Sequence, residues 1–257
     1  MYNVLRPASV RSGLAGLFML VLPGALVQAA EVKVLSGMGM RAILTQLTGT
    51  FEQATGHQLN ITYDTAGLVR DRLRHGEAAD VAIMQRSLFE TLPSQNLREP
   101  PSDLARSVIG LVGRAGAPQP DIGSVEALKQ ALLAAQSISY TDPANGGLSG
   151  SHFAKIIARL GIADEMRDKT RLGKPMARVS EGEVEYSVLQ LSEILSLRNV
   201  QLVGIFPDEL QDKTAVSAAR LAASHEPEAG QALIGFLSGP AAAVVIKASG
   251  MEPLARR

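Results

Sequence analysis

The sequence predicts an α/β protein of two lobes, each a helix-covered, mostly parallel sheet, with a ligand cleft between them. Three observations lead there. Short apolar runs alternate with helix-period stretches in strand–helix order, the rhythm of right-handed crossovers over parallel strands. At 257 residues the chain is at the length where single cores stop growing. The last stretch reads as two helices placed to return to the first half. A single doubly wound domain is the alternative.

Residues 1–29 are expected to be a secretory signal peptide. Arg6 and Arg11 give a positive start, and 13–22 (GLAGLFMLVL) is an apolar core that Pro23 and Gly24 break. Val27 and Ala29 stand at −3 and −1 of a cut after Ala29, with a cut after Ala30 the near alternative. The run is shorter than the roughly 20 residues a membrane span needs. No later stretch is long enough, so no membrane insertion is expected once the signal is removed.

Beyond it, 32–35 (VKVL) reads as a strand and 38–54 as a helix, with Ile43, Leu44, Leu47 and Phe51 on one face and Gly56 as C-cap. A strand at 59–63, a helix at 68–75 closed by Gly76 and a buried strand at 79–84 complete a βαβαβ unit. A Pro-rich loop at 93–101 leads to a strand at 107–112, and 113–123 is a Gly- and Pro-rich connector. Then come a helix at 125–135, a strand at 137–141, a Gly-rich loop at 144–151 and a helix at 152–160 capped by Gly161. Strands follow at 187–190, 200–203 and 216–222, and two helices fill 227–248, split at Gly239-Pro240. This division places 30–110 plus 217–257 in lobe one and 111–216 in lobe two. The crossing segments fall near 108–113 and 212–219.

Composition narrows the chemistry. There are 25 Lys+Arg against 25 Asp+Glu, and removing Arg6 and Arg11 with the signal leaves 23 against 25. Nucleic-acid binding, which calls for a basic excess, is not expected. Six Phe, four Tyr and no Trp make base-stacking platforms improbable. The absence of Cys excludes disulfides and thiolate chemistry. The four His show no metal-ligand spacing, and no GxSxG elbow is present.

Ligands of parallel sheets bind beyond the carboxyl ends of the strands. Ser36, Gly37 and the next two residues precede a helix there, where free N–H groups suit an anion; Ser36 as a plain N-cap is the alternative. Thr65 caps a helix or donates to a ligand. The 144–152 loop (ANGGLSGSH) brings Asn145, Ser149, Gly150 and Ser151 to a helix start, the makings of an anion-binding nest. Gln190 and Ser192 follow another strand. Glu193 reads as a helix cap first and a catalytic acid second. His152 is a general acid/base candidate or a first-turn helix residue. His57, His75 and His225 are expected at the surface. Arg41, Arg70, Arg72, Arg171 and Arg178 are candidate carboxylate clamps or solvated helix faces.

These segments resemble the periplasmic molybdate-binding proteins of ABC transporters. The stretch 34–38 (VLSGM) stands where that family has its first ligand loop, and 67–80 (GLVRDRLRHGEAAD) looks like its helix and Ala-Asp stretch. The segments 141–143 (TDP), 151–155 (SHFAK), 181–195 (EGEVEYSVLQLSEIL), 203–207 (VGIFP) and 239–242 (GPAA) follow in the family's order over nearly the whole mature chain. The resemblance implies the type II periplasmic-binding-protein fold. In that family Ser hydroxyls hold the oxyanion; here Met38 and Ala66 stand at those places, and 190–193 replaces a later Tyr. The 149–153 (SGSHF) and 190–195 (QLSEIL) pattern resembles a divergent branch that includes periplasmic aconitate isomerase. A small carboxylate is therefore preferred over a molybdate-like oxyanion.

Two functions follow. One is a periplasmic solute-binding protein that closes on a small anion and hands it to an ABC permease. Its contacts are Ser36, Gly37, Met38, Thr65, Ala66, Asn145, Ser149, Gly150, Ser151 and Gln190. The other is an isomerase of trans- and cis-aconitate working by proton shift, with His152 first and Glu193 second as proton-transfer groups. Neither needs a metal or organic cofactor. The product is expected to be an exported monomer.

Overall fold

The computed structural model describes residues 29–212 and 215–254; the expected signal peptide lies outside the described residues apart from Ala29. The chain runs β1 (Glu31–Gly37), α1 (Arg41–Thr55), β2 (Gln58–Asp64), α2 (Ala66–Arg74), β3 (Val81–Gln85), α3 (Arg86–Phe89), β4 (Ser102–Arg106) and β5 (Ile109–Arg114). It continues with α4 (Val125–Ala134), β6 (Ile138–Tyr140), α5 (Leu148–Arg159), α6 (Ala163–Arg167), β7 (Thr170–Leu172) and α7 (Pro175–Ser180). Then come β8 (Tyr186–Gln190), α8 (Leu191–Ile194), β9 (Val200–Ile205), β10 (Ala215–Arg220), α9 (Pro227–Leu237), α10 (Pro240–Ala248) and β11 (Glu252–Pro253).

Two sheets organise these elements. The first has the order β11-β4-β10-β3-β1-β2, the second β7-β6-β8-β5-β9. Both are mixed. β1 pairs in parallel with β2 and β3, while β10 runs antiparallel to β3 and β4. β6 is parallel to β7 and β8, and β5 is antiparallel to β8 and β9. The antiparallel strands come from the lobe crossings. β5 and β10 each enter a sheet directly from the other lobe, without the helical crossover that a parallel neighbour requires.

Each sheet buries both faces, which is why its central strands read as continuous apolar runs. In the first lobe, Ile43, Leu44, Leu47 and Phe51 of α1 pack with Leu233, Ile234 and Leu237 of α9 over Val32, Val34 and Ile83. Val69 and Leu73 of α2 cover Leu35, Ala82 and Met84 on the other face. In the second lobe, Phe153, Ile156 and Leu128 pack over Ile109, Leu111 and Val188. Gly56 ends α1 at φ 76°, the left-handed geometry that makes glycine the usual residue there.

Asp80 shows how the Ala-Asp stretch serves the fold. Its Oδ1 accepts hydrogen bonds from Ser224 Oγ (2.7 Å) and from the His225 and Glu226 amides (both 2.9 Å). Its Oδ2 accepts from the Lys33 amide at 2.9 Å. Burial pushes the carboxyl pKa up, but these four bonds outweigh it and hold Asp80 below the ordinary aspartate value. The carboxylate thus ties the start of β3 to β1 and to the turn before α9.

The structure differs from the sequence reading in several places. β4 lies just after the Pro-rich stretch and was not anticipated, because only Leu104 and Ala105 in it are buried. The short elements α3, α6, β7, α7, α8 and β11 carry too few residues for periodicity to register. α5 starts at Leu148 rather than 152, so the Gly-rich loop is partly helix. His57 is buried (8% exposed) rather than at the surface, with its Nδ1 accepting from the Ala30 amide at 3.2 Å. Among the described residues no single helix is long and apolar enough to cross a membrane.

Candidate functional site

A cavity of about 360 Å³ lies between the lobes, within the size range of small-molecule sites. The ends of β1 and β3 and the start of α2 wall it from the first lobe. The 141–149 and 173–177 segments and the end of β8 wall it from the second. Met38, Met40, Met84, Met176, Leu148 and Leu189 make much of the lining apolar.

Of the expected contacts, Gly37, Met38, Thr65, Ala66, Asn145, Ser149 and Gln190 border this cavity, as does Glu193. Ser36, Gly150, Ser151 and His152 do not border it. Ser36 is fully buried and its Oγ donates to the Gly37 carbonyl at 3.2 Å. It is therefore not the N-cap either; Gly37 holds that place. The His152 ring nitrogen Nε2 lies 2.6 Å from the Leu210 carbonyl, which it meets as a donor. That bond ties α5 to the segment after β9. The candidate arginine clamps also lie elsewhere. Arg70 pairs with Asp71, Arg72 with Glu77 and Arg178 with Glu183. Arg171 donates to backbone carbonyls, and Arg41 stands 5.8 Å from the Tyr63 ring centroid.

Several contact candidates hold the lobes to each other. Thr65 Oγ1 donates to the Asn145 carbonyl at 2.7 Å and accepts from the Leu68 amide as the N-cap of α2. The Gly67 amide donates to the Gly146 carbonyl at 3.1 Å. Across the cleft, Ser192 Oγ donates to the Gly39 carbonyl at 2.8 Å. A β-carbon on Gly67 would lie 2.5 Å from Gly146 Cα, and one on Gly39 2.5 Å from the Gln190 amide. Glycine at these positions is what lets the two lobes meet.

The crossings are tied together as well. Gln211 Nε2 donates to the carbonyls of Ile109 (2.7 Å) and Phe206 (3.1 Å), and its Oε1 accepts from the Ile109 amide. Ser107 Oγ donates to Gln190 Oε1 at 2.9 Å, so the first crossing touches a cavity-lining side chain.

Two cavity residues stand out electrostatically. Glu193 is buried, with Oε2 accepting from the Gln190 amide at 3.0 Å in a reciprocal capping box at the start of α8. Burial raises its pKa from 4.5 to about 7, with the Gln190 hydrogen bonds opposing. Among the described residues Lys174 is the one Lys or Arg that borders the cavity. It holds a left-handed backbone at φ 52°, following Gly173 at φ 79°.

Lys174, Gln85 and Thr141 border the site and were missed from the sequence. Gln85 directly follows the buried strand expected at 79–84 and is the last residue of β3, and that position was the available signal. Lys174 had none, because β7 and α7 were not recognised. Among the described residues no cluster of His, Asp and Glu is arranged to hold a metal ion.

Gly150 sets the placement of α5. A β-carbon there would lie 1.8 Å from the Thr141 carbonyl oxygen, which is backbone and cannot swing aside. Gly150→Ala is expected to destabilise the protein by at least ~3 kcal/mol, read as a lowered urea midpoint at unchanged slope.

The family model of bacterial extracellular solute-binding proteins matches residues 32–252. The chain is 34% identical over 232 residues to an aconitate isomerase from Pseudomonas sp., covering 86% of this chain and 87% of that one. It is 24% identical to the molybdate-binding protein ModA of Azotobacter vinelandii, covering 87% of this chain and 90% of the relative. The solved periplasmic molybdate-binding protein of Azotobacter vinelandii superposes with a TM-score of 0.72 at 19% identity, covering 88% of this chain and all of that one.

Proposed function

Because this chain belongs to the bacterial extracellular solute-binding protein family, we propose that its interlobe cavity takes a small organic anion with several carboxylates. The observation that carries this is the cavity wall. A compact oxyanion such as molybdate needs hydrogen-bond donors on all sides. This wall is apolar over much of its surface, with Met38, Met40, Met84, Met176, Leu148 and Leu189 in it; its polar groups, such as Thr65, Gln85, Asn145 and Ser149, are interspersed, and among the described residues Lys174 is the bordering cation. A carbon skeleton suits the apolar part and carboxylates suit the rest. The 34% identity to an aconitate isomerase supports the same ligand class.

We take the lobes as 30–110 with 217–257, and 111–216; the sheets support this to within two residues at each crossing. Closure swings them about the crossings that Gln211 ties together. As a periplasmic binding protein, the chain would then present its ligand to an ABC permease.

Glu193 favours a second reading, an isomerase. Interconverting trans- and cis-aconitate shifts a proton across an allylic system. A base removes a proton from the methylene carbon, the electron pair delocalises toward the far alkene carbon, and a proton returned there completes the move of the double bond. A carboxyl with a pKa of about 7 in the cavity wall can accept that proton and return it near neutral pH. The Lys174 ammonium can stabilise the charge that develops.

The test is to incubate the purified protein with trans-aconitate and follow formation of the cis isomer, with calorimetric titration alongside. Turnover establishes the isomerase. Binding without turnover establishes the solute-binding role. Tight molybdate binding with no carboxylate binding sinks the proposal.

A further inference from the structure

We propose that the Gln85 amide of the first lobe and the Lys174 ammonium of the second grip different carboxylates of one ligand. The site then selects organic anions with at least two separated carboxylates; this rests on the carboxylate reading above. Gln85 ends β3 at the cavity wall and is 7% exposed, yet its side-chain oxygen has no hydrogen-bond partner. Among the described residues only Ser180 Oγ shares that condition, and Ser180 does not border the cavity. A buried amide left unpartnered destabilises the free protein, and a ligand removes that penalty. Rotated about its last bond, the amide offers N–H donors to a carboxylate or its oxygen to a protonated acid.

The neighbouring cation is already engaged. Arg86 Nη1 donates to Asp103 Oδ1 at 2.7 Å and to the Pro101 carbonyl at 3.0 Å. Among the described residues that leaves Lys174 as the cation bordering the cavity. Its left-handed backbone is held in place: Arg178 Nε donates to the Gly173 carbonyl and the Arg178 amide to the Lys174 carbonyl, both at 3.0 Å. Non-glycine residues are uncommon in that conformation, and sites of function are where such strain collects. Because Gln85 ends β3 of the first lobe and Lys174 precedes α7 of the second, one ligand touching both bridges the lobes.

The probe is tricarballylate, which has three carboxylates and no double bond to isomerise. Calorimetry should show Gln85→Met and Lys174→Met each weakening it at least ~10-fold. Acetate and molybdate should bind the unaltered protein at least ~100-fold more weakly than tricarballylate. The unliganded Tm of Gln85→Met should be unchanged or higher, since an unpaired polar atom is removed. An unchanged tricarballylate affinity in Gln85→Met overturns the inference and leaves the carboxylate reading standing. A fall in its unliganded Tm alongside the affinity makes Gln85 a core residue and also overturns it. Acetate or molybdate binding as tightly as tricarballylate does the same. Failure of the unaltered protein to bind any carboxylate sinks both readings together.

Discussion

Gly67→Ala is expected to leave the protein folded and weaken ligand binding by at least ~100-fold. The glycine lies in the first turn of α2 at an ordinary negative φ, so alanine fits the helix and favours it. The obstruction arises only when the lobes meet. The added carbon would stand 2.5 Å from Gly146 Cα and 2.6 Å from the Asn145 carbonyl oxygen. Both are backbone atoms of the other lobe, so closure must stop short. Overpacking of that kind costs about 3 kcal/mol or more, and the closed, liganded state bears all of it. Calorimetry reads the affinity, thermal unfolding of the free protein should show no loss, and small-angle scattering should report a larger radius with ligand present. Wild-type affinity in this variant would show that binding does not require the lobes to meet here.

Glu193→Gln separates two properties of the same carboxyl. If the protein isomerises aconitate, the substitution is expected to lower turnover by ~10²–10⁴-fold with binding changed only a few-fold. The glutamine oxygen can still accept from the Gln190 amide, so the start of α8 survives. The pH dependence of stability tests the burial directly. Glu193 titrates near 7 when folded, against 4.5 as an ordinary glutamate. The folded state therefore favours the protonated form. Its advantage is complete below the unfolded value and is lost as pH rises from about 4.5 through about 7. Relative to Glu193→Gln, the unaltered protein should lose about 3 kcal/mol of stability between about pH 4 and about pH 8. Urea titrations at both values measure this, and parallel behaviour of the two proteins would show that Glu193 is solvated.

Much of the scaffold was legible in the order of residues. The period of Ile43, Leu44, Leu47 and Phe51 marked α1, and the Gly239-Pro240 break marked the division between α9 and α10. The carboxyl ends of β1, β2 and β8 stood out as places for a ligand, and Gly37, Thr65 and Gln190 there border the cavity while Ser36 does not. Short elements escaped, because a three-residue strand such as β7 spans less than two repeats of any pattern. Missing β7 and α7 meant missing Lys174. The ranking of proton-transfer groups was also beyond periodicity. His152 was preferred over Glu193 for its intrinsic pKa, yet its ring is spent on the Leu210 carbonyl, 58 residues away in the chain.

By itself the sequence determined the alternation of strands and helices and the two-lobed α/β class. Those follow from local pattern and backbone freedom, which neighbouring residues decide. Only the tertiary structure decided which polar groups reach the cleft. Thr65 and Ser192 spend hydroxyls across the lobes, His152 is turned to the backbone, and Gln85, Lys174 and Glu193 are left at the cavity. The physical reason is that hydrogen bonding and desolvation depend on distant segments meeting, and residue spacing along the chain carries no record of those meetings.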